Sequence, residues 1–297
     1  MSTFPRMTLL ALLTIASFSF AQEAEKPVLT HSEIRDGVHL IQGDGGNVVV
    51  IEGDRSMLVI DNGYPEQAAD LFNTIMQVGN KPLRFMVNTH WHFDHAGGND
   101  YLGPRTNLVA HDNVRKRLSE GMTFEAFNRV VPPAEPHALP VVTYSDSTNL
   151  FEGKQVIRLK HFANGHTDGD SVAFIEPSKI VHTGDHYFAN WFPFVDLQSG
   201  GSVAGMTRNV AAILAMIDDD WIVVPGHGPL SKKADLQRTH EMLTQSVAWM
   251  TERLAEGLSL EQMTELGLPE NLKPWGIGFI KEPNWIATLY TSLKDAE

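Results

Sequence analysis

The 297-residue chain has no cysteine. That excludes disulfides, a thiol nucleophile, thiolate metal ligands and a lipid anchor on an acylated cysteine. Basic residues are few: 23 Lys and Arg stand against 36 Asp and Glu, a formal net charge of −13. A nucleic-acid surface wants a basic face, so no nucleic-acid partner is expected, although a local basic pocket is not excluded. Long hydrophobic runs are scarce. Met7–Phe20 is an apolar stretch of about 14 residues, short for a bilayer span, and no run of roughly 18 follows it. Short internal repeats and low-complexity segments are absent too. What the chain does have is 42% hydrophobic residues with 20% charged, enough for a sizeable core and against wholesale disorder. Histidine, at 13, is generous.

The first residues carry an address. Arg6 supplies one positive charge, Met7–Phe20 is apolar, and Ser19-Phe20-Ala21 places small residues at −3 and −1 before Gln22. This is the three-part pattern of a secretory signal at residues 1–21, cleaved near Ala21, with an uncleaved N-terminal anchor as the alternative. Loss of Arg6 would move the net charge from −13 to −14. An exported chain without cysteine fits a bacterial periplasm, so a periplasmic or secreted protein is expected, with no membrane association after cleavage. Residues 22–297 show no clear boundary and are expected to form a single domain.

Short strands are expected at Val38–Ile41, Asn47–Glu52, Ser56–Asp61, Leu83–Asn88, Asn107–Ala110, Val141–Tyr144, Gln155–His161, Ser171–Glu176, Lys179–Thr183 and Trp221–Val224. A helix runs from Tyr64-Pro65-Glu66 to Val78, closed by Gly79-Asn80. Another starts at the Ser202 cap, and three helices end the chain near Lys233–Glu256, Ser259–Leu266 and Glu282–Leu293. Ser119–Pro140, with four prolines, reads as an irregular loop or lid. Neither strict βαβ alternation nor all-β spacing fits. The layer solution that does is α/β, an αββα sandwich of two sheets back to back with helices outside.

Strand Leu83–Asn88 runs into Thr89-His90-Trp91-His92-Phe93-Asp94-His95-Ala96-Gly97-Gly98. Extended backbone alternates faces, so His90 and His92 point the same way and Asp94 follows if extension continues. His95 needs the turn that the glycine pair permits. Three imidazoles and a carboxylate in six residues suit zinc or a similar borderline metal rather than calcium. One segment cannot close a two-metal site. Three further candidates sit just past β runs, beside glycine: His166, Asp185 and His227.

Taken together, His90-x-His92-x-Asp94-His95, Gly-His166-Thr, Thr-Gly-Asp185 and Gly-His227-Gly resemble the metallo-β-lactamase superfamily over about Gly43–Gly228. The resemblance implies a metallo-β-lactamase-like fold in which His90, His92 and His166 hold one metal, Asp94, His95 and His227 hold a second, and Asp185 bridges both. A water or hydroxide would sit between them. Asp61, in Val59-Ile60-Asp61-Asn62-Gly63, would orient the ligand loop. The carboxylate at 185 resembles glyoxalase-II-like thioesterases and lactonases. Two zinc ions are implied, with iron or manganese tolerated by a carboxylate bridge.

The chemistry follows from the ligands. Zinc lowers the pKa of bound water from about 15.7 to roughly 7, so hydroxide is available without a Ser, Cys or Lys nucleophile. Asp94 can both ligate and orient it, and is the expected catalytic residue. The expected activity is hydrolysis of a carbonyl-type bond (lactam, lactone or thioester) in a small molecule, β-lactamase-like activity included. The rivals are a phosphodiesterase and a non-catalytic metal- or partner-binding protein on the same scaffold. Tyr187, in the aromatic run to Phe194, is either an oxyanion donor or part of an anchoring cluster. Trp91 and Phe93 are expected to pack away from the metals. His111, His161 and His182 lie near the same rim, either supporting the ligands or simply solvated or buried. Gly200-Gly201-Ser202 is either an anion-binding helix start or a plain cap.

Overall fold

A computed structural model describes residues 28–124 and 128–294. The leader expected at residues 1–21 lies outside them. Seven strands build the first sheet: β1 (Thr30–Arg35), β2 (Val38–Gln42), β3 (Val48–Glu52), β4 (Met57–Ile60), β5 (Leu83–Val87), β6 (Asn107–His111) and β9 (Val142–Tyr144), in that spatial order. Pairing is antiparallel from β1 to β4 and parallel from β4 onward. Six strands build the second: β10 (Ser147–Glu152), β11 (Gln155–His161), β12 (Ser171–Glu176), β13 (Ile180–His182), β14 (Ile222–Val224) and β15 (Ser231–Lys232). Only β13 and β14 pair in parallel there.

The run Val48-Val49-Val50-Ile51 shows why both faces of the first sheet are covered. Its residues alternate between two cores: Val49 and Ile51 face the second sheet, while Val48 and Val50 face α1 (Ala68–Gly79) and α2 (Asn99–Leu102). β12 repeats the pattern. Ala173 and Ile175 meet the first sheet, and Val172 and Phe174 meet α4 (Val203–Ala215), α5 (Lys233–Ala255) and α7 (Glu282–Leu293). The result is helix, sheet, sheet, helix, as the strand and helix signals lead one to expect. The Ser202 hydroxyl caps α4 by accepting from Gly205 N at 2.9 Å, the plain-cap reading.

Six strands and helices escape the sequence patterns. These are β1, β10, β15, α3 (Asp112–Glu120) and the two strands, β7 (Met122–Phe124) and β8 (Arg129–Val131), of a small hairpin inside the segment read as an irregular loop. Three-residue strands are too short to establish a period. β1 and β10 lie at sheet edges and expose half or more of their residues, so their hydrophobic signal is weak. α3 has His111 as its cap, its Nδ1 accepting from Asn113 N at 3.2 Å, and few apolar residues. Among the described residues no helix is long and apolar enough to cross a membrane.

Candidate metal centre

Strand ends from both sheets meet at one edge of the sandwich. His90, His92, Asp94 and His95 follow β5. His166 lies between β11 and β12, Asp185 follows β13, and His227 follows β14. The fold thus brings all seven together, in two groups. The donor atoms of His90, His92, His166 and Asp185 lie within 4.8 Å of one another, as do those of Asp94, His95 and His227. Asp185 reaches both. Its Oδ2 is 3.3 Å from His166 Nε2, 3.8 Å from His90 Nε2 and 3.5 Å from His227 Nε2, and its Oδ1 is 3.1 Å from His95 Nε2.

Four of the five imidazoles, those of His90, His92, His95 and His166, are aimed by a partner on the outer nitrogen. Asp61 accepts from Thr89 N at 2.7 Å and from Thr89 Oγ1 at 2.8 Å, and meets His95 Nδ1 at 2.7 Å. The Thr89 hydroxyl proton is therefore committed to Asp61, so its oxygen accepts from His90 Nδ1 at 3.1 Å. That fixes a lone pair on His90 Nε2, facing inward. His166 Nδ1 donates to Phe194 O at 2.8 Å, turning Nε2 inward. His92 is reversed: its Nε2 meets Asp196 at 2.9 Å, so Nδ1 faces His166 Nε2 at 2.8 Å. Asp196 has no motif around it. The one sequence signal is a lone acid in the apolar run Phe192-Pro193-Phe194-Val195.

Two glycines allow the crowding. A Cβ on Gly46 would fall 2.2 Å from the His95 ring, and one on Gly226 would fall 1.9 Å from Asp185 Oδ1. Across the seam, Asn47 donates from its backbone to Gly226 O at 2.8 Å and from Nδ2 to Pro225 O at 2.9 Å. The first sheet thereby holds the loop that carries His227.

The electrostatics divide the histidines. Burial pushes His90 well below the ordinary imidazole range and His166 down to about 4. Burial also pulls at His95 and His227, but facing carboxylates outweigh it. Asp185, Asp94 and Asp61 raise His95 well above its ordinary value, and Asp185 and Asp94 carry His227 up to about 9. Against burial, His95 and His227 hold Asp94 down to about 2. His90 Nε2 is buried with no hydrogen-bond partner, and so is Asp185 Oδ1 apart from its approach to His95. Inward lone pairs, ionised carboxylates and orphaned buried atoms are what a divalent cation would satisfy, so the residues present fit a metal.

Above the cluster opens a cleft of about 500 Å³. Tyr64, Phe93, Phe124, Phe188, Trp191 and Phe279 are among the residues that line it. Phe188 stacks on His227 with ring centroids 5.0 Å apart. Sequence reasoning missed Tyr64 as a lining residue, one aromatic expectation needs correction and one open choice is decided. Phe93 faces the cleft, whereas Trp91 does pack away, stacked on Phe124 at 4.9 Å. Tyr187 is fully buried and its hydroxyl donates to Ser231 Oγ at 3.0 Å, so it is a core anchor and not a donor to substrate. His182 is a satisfied core residue, its Nε2 donating to Asn47 O at 2.9 Å.

Residues 41–227 match the sequence profile of the metallo-beta-lactamase superfamily, and the chain belongs to that superfamily. Its members are hydrolases, and the protein is a metallo-hydrolase of that class. An acyl-coenzyme A thioesterase from Gallus gallus is 24% identical over 235 residues, covering 66% of this chain and 79% of the relative. A probable metallo-hydrolase from Methanocaldococcus jannaschii is 26% identical over 200 residues, covering 64% and 91%. Among solved structures, a metallo-beta-lactamase from Pontibacter korlensis superposes with a TM-score of 0.61 at 19% identity, covering 73% of this chain and 99% of its own. A sec-alkylsulfatase from Pseudomonas sp. gives 0.66 at 15% identity, covering 90% of this chain and 50% of its own.

Proposed function

We propose that the protein is an exported hydrolase that holds two zinc ions and cleaves a carbonyl-type bond (lactam, lactone or thioester) in a small molecule. Removal of the leader near Ala21 would leave it periplasmic or secreted. His90, His92 and His166 would hold one ion, Asp94, His95 and His227 the other, and Asp185 both; iron or manganese suits the same donors. The observation that carries this reading is the Asp185 carboxylate, 3.3 Å from His166 and 3.1 Å from His95, between the two groups. The thioesterase relative supports the carbonyl chemistry.

Bound zinc supplies Lewis acidity and an attacking water acidified from about 15.7 to roughly 7. The chain's residues do the rest. Asp94, ionised at neutral pH, accepts a hydrogen bond from the attacking water and so fixes its direction. Asp94 Oδ2 lies 3.2 Å from His227 Nε2, so the two donors converge at the floor of the cleft, where they would share an ion. Burial, with Asp94 adding, pushes Tyr64 up to about 12, so its hydroxyl keeps its proton at neutral pH and is available as a donor. The aromatic walls exclude bulk water around the reacting bond.

The test is zinc-loaded protein assayed on a p-nitrophenyl phosphodiester, a lactone, a thioester and a cephalosporin. Turnover of a carbonyl substrate supports the proposal. Turnover of the phosphodiester alone overturns it in favour of a phosphodiesterase. A metal-replete protein inert on all four, with a tight partner in pull-downs, would favour a binding role.

A further inference from the structure

The structure assigns Arg117 a positioning role: from α3 it sets where the His166 loop sits against His92, and so governs the ion of the His90, His92 and His166 group apart from the other ion. This rests on the two-ion reading above. α3 touches both loops at once. Val114 and Leu118, one turn apart, are buried in one cluster with Trp91 and Ala96 of the loop that carries His92. Asn113 and Arg117, one turn apart on the neighbouring face, both reach Asp168, two residues past His166. Asn113 Nδ2 donates to Asp168 O at 2.9 Å. Arg117 Nε donates to Asp168 Oδ1 at 2.6 Å and Nη2 to Oδ2 at 2.7 Å, a paired geometry that fixes direction as well as distance. The two charged side chains are 20% and 28% exposed, so water screens them only in part.

The His166 loop is zipped to the segment that carries Asp196. Asp196 N donates to His166 O, Asp168 N to Ser199 O and Ser202 N to Gly165 O, each at 2.9 Å. These bonds join the two segments to each other. Among the bonds that join them to the loop of His92 are Ser171 N to Thr89 O at 2.8 Å and the contact of His92 Nε2 with Asp196 at 2.9 Å. α3 adds the grip from outside the donor groups. Without Arg117, the Asp168 carboxylate is better solvated facing water than facing α3, and the loop beneath it draws His166 away from His92. The two rings, 2.8 Å apart between Nε2 and Nδ1, would then no longer present their nitrogens to one ion. His227 is spared, because its loop is fastened elsewhere, by Asn47 to Pro225 and Gly226.

The test is stepwise zinc uptake by the full chain, followed by competition with a chromophoric chelator well below the melting temperature. NMR of the histidine ring protons is recorded on the same chain free of metal. Arg117→Gln is compared with Lys179→Gln, which removes the same charge from an exposed pair with Asp220. Arg117→Gln is expected to weaken one uptake step about tenfold or more, to leave the other within about twofold, and to speed exchange of the His92 Nε2 proton that faces Asp196. Lys179→Gln is expected to match the parent. Arg117→Lys keeps the charge without the fork and is expected to fall between parent and Arg117→Gln; it carries the same comparison should the glutamine variant not fold. Unchanged uptake in Arg117→Gln, or equal weakening of both steps, overturns the inference. Uptake of a single ion by the parent removes the two-ion reading; a tenfold loss at that one step in Arg117→Gln, with faster His92 exchange, would keep the positioning role.

Discussion

Asp94 and Asp196 are both carboxylates beside histidines, yet they do different work. Asp94 reaches into the cleft, its side chain 16% exposed, while Asp196 is buried behind His92. Asp94→Asn keeps the shape and removes the charge, so kcat is expected to fall about 100-fold or more with the melting temperature little changed; unaltered kcat would refute the orienting role. Asp196→Asn leaves the cleft untouched but loosens His92, so metal affinity is expected to drop about 10–100-fold in chelator competition. The protons trapped at the site give a further outcome. Facing carboxylates raise His95 well above its ordinary value and take His227 from 6.5 up to about 9 in the metal-free protein. That attraction is fully present below 6.5 and is lost as pH rises through about 9. Metal uptake near pH 7.5 should therefore release protons, and its measured heat should vary with the ionisation enthalpy of the buffer.

At the scale of elements, the site depends on loops that begin where strands stop. Gly226→Ala places a methyl group 1.9 Å from Asp185 Oδ1, so the carboxylate or the Gly226 loop must move. Elemental analysis of that variant is expected to fall well below the near two metals per chain anticipated for the parent. The same elements show what the chain makes legible. The His90–His95 cluster is readable because strand alternation and a glycine turn are local rules. His166, Asp185 and His227 are readable because each follows a strong β run next to glycine. Asp196 and Tyr64 are not. Asp196 acts across 104 residues of chain to reach His92, and Tyr64 opens a helical turn whose local signal is the proline after it. Tyr187 is open in the sequence between cleft donor and core anchor, and the register of the chain after β13 decides for the core.

For the whole molecule, the apolar layer between the sheets is one store of stability, beside the larger layer under α4, α5 and α7. Ile175, fully buried there, is expected to cost about 2–5 kcal/mol when cut to alanine, read from denaturant unfolding. The donors come from both sheets, so a bound cation ties the two halves together. Saturating chelator is expected to lower the melting temperature, and readded zinc to restore it.

That restoration depends on the Asn47 clasp. Because its bonds to Pro225 and Gly226 join amide to carbonyl, they persist whatever the ionic content of the cavity. The stripped protein should keep the His227 loop fastened to the first sheet, ready to take up metal again. The order in which a newly made chain folds and acquires its ions would then not matter.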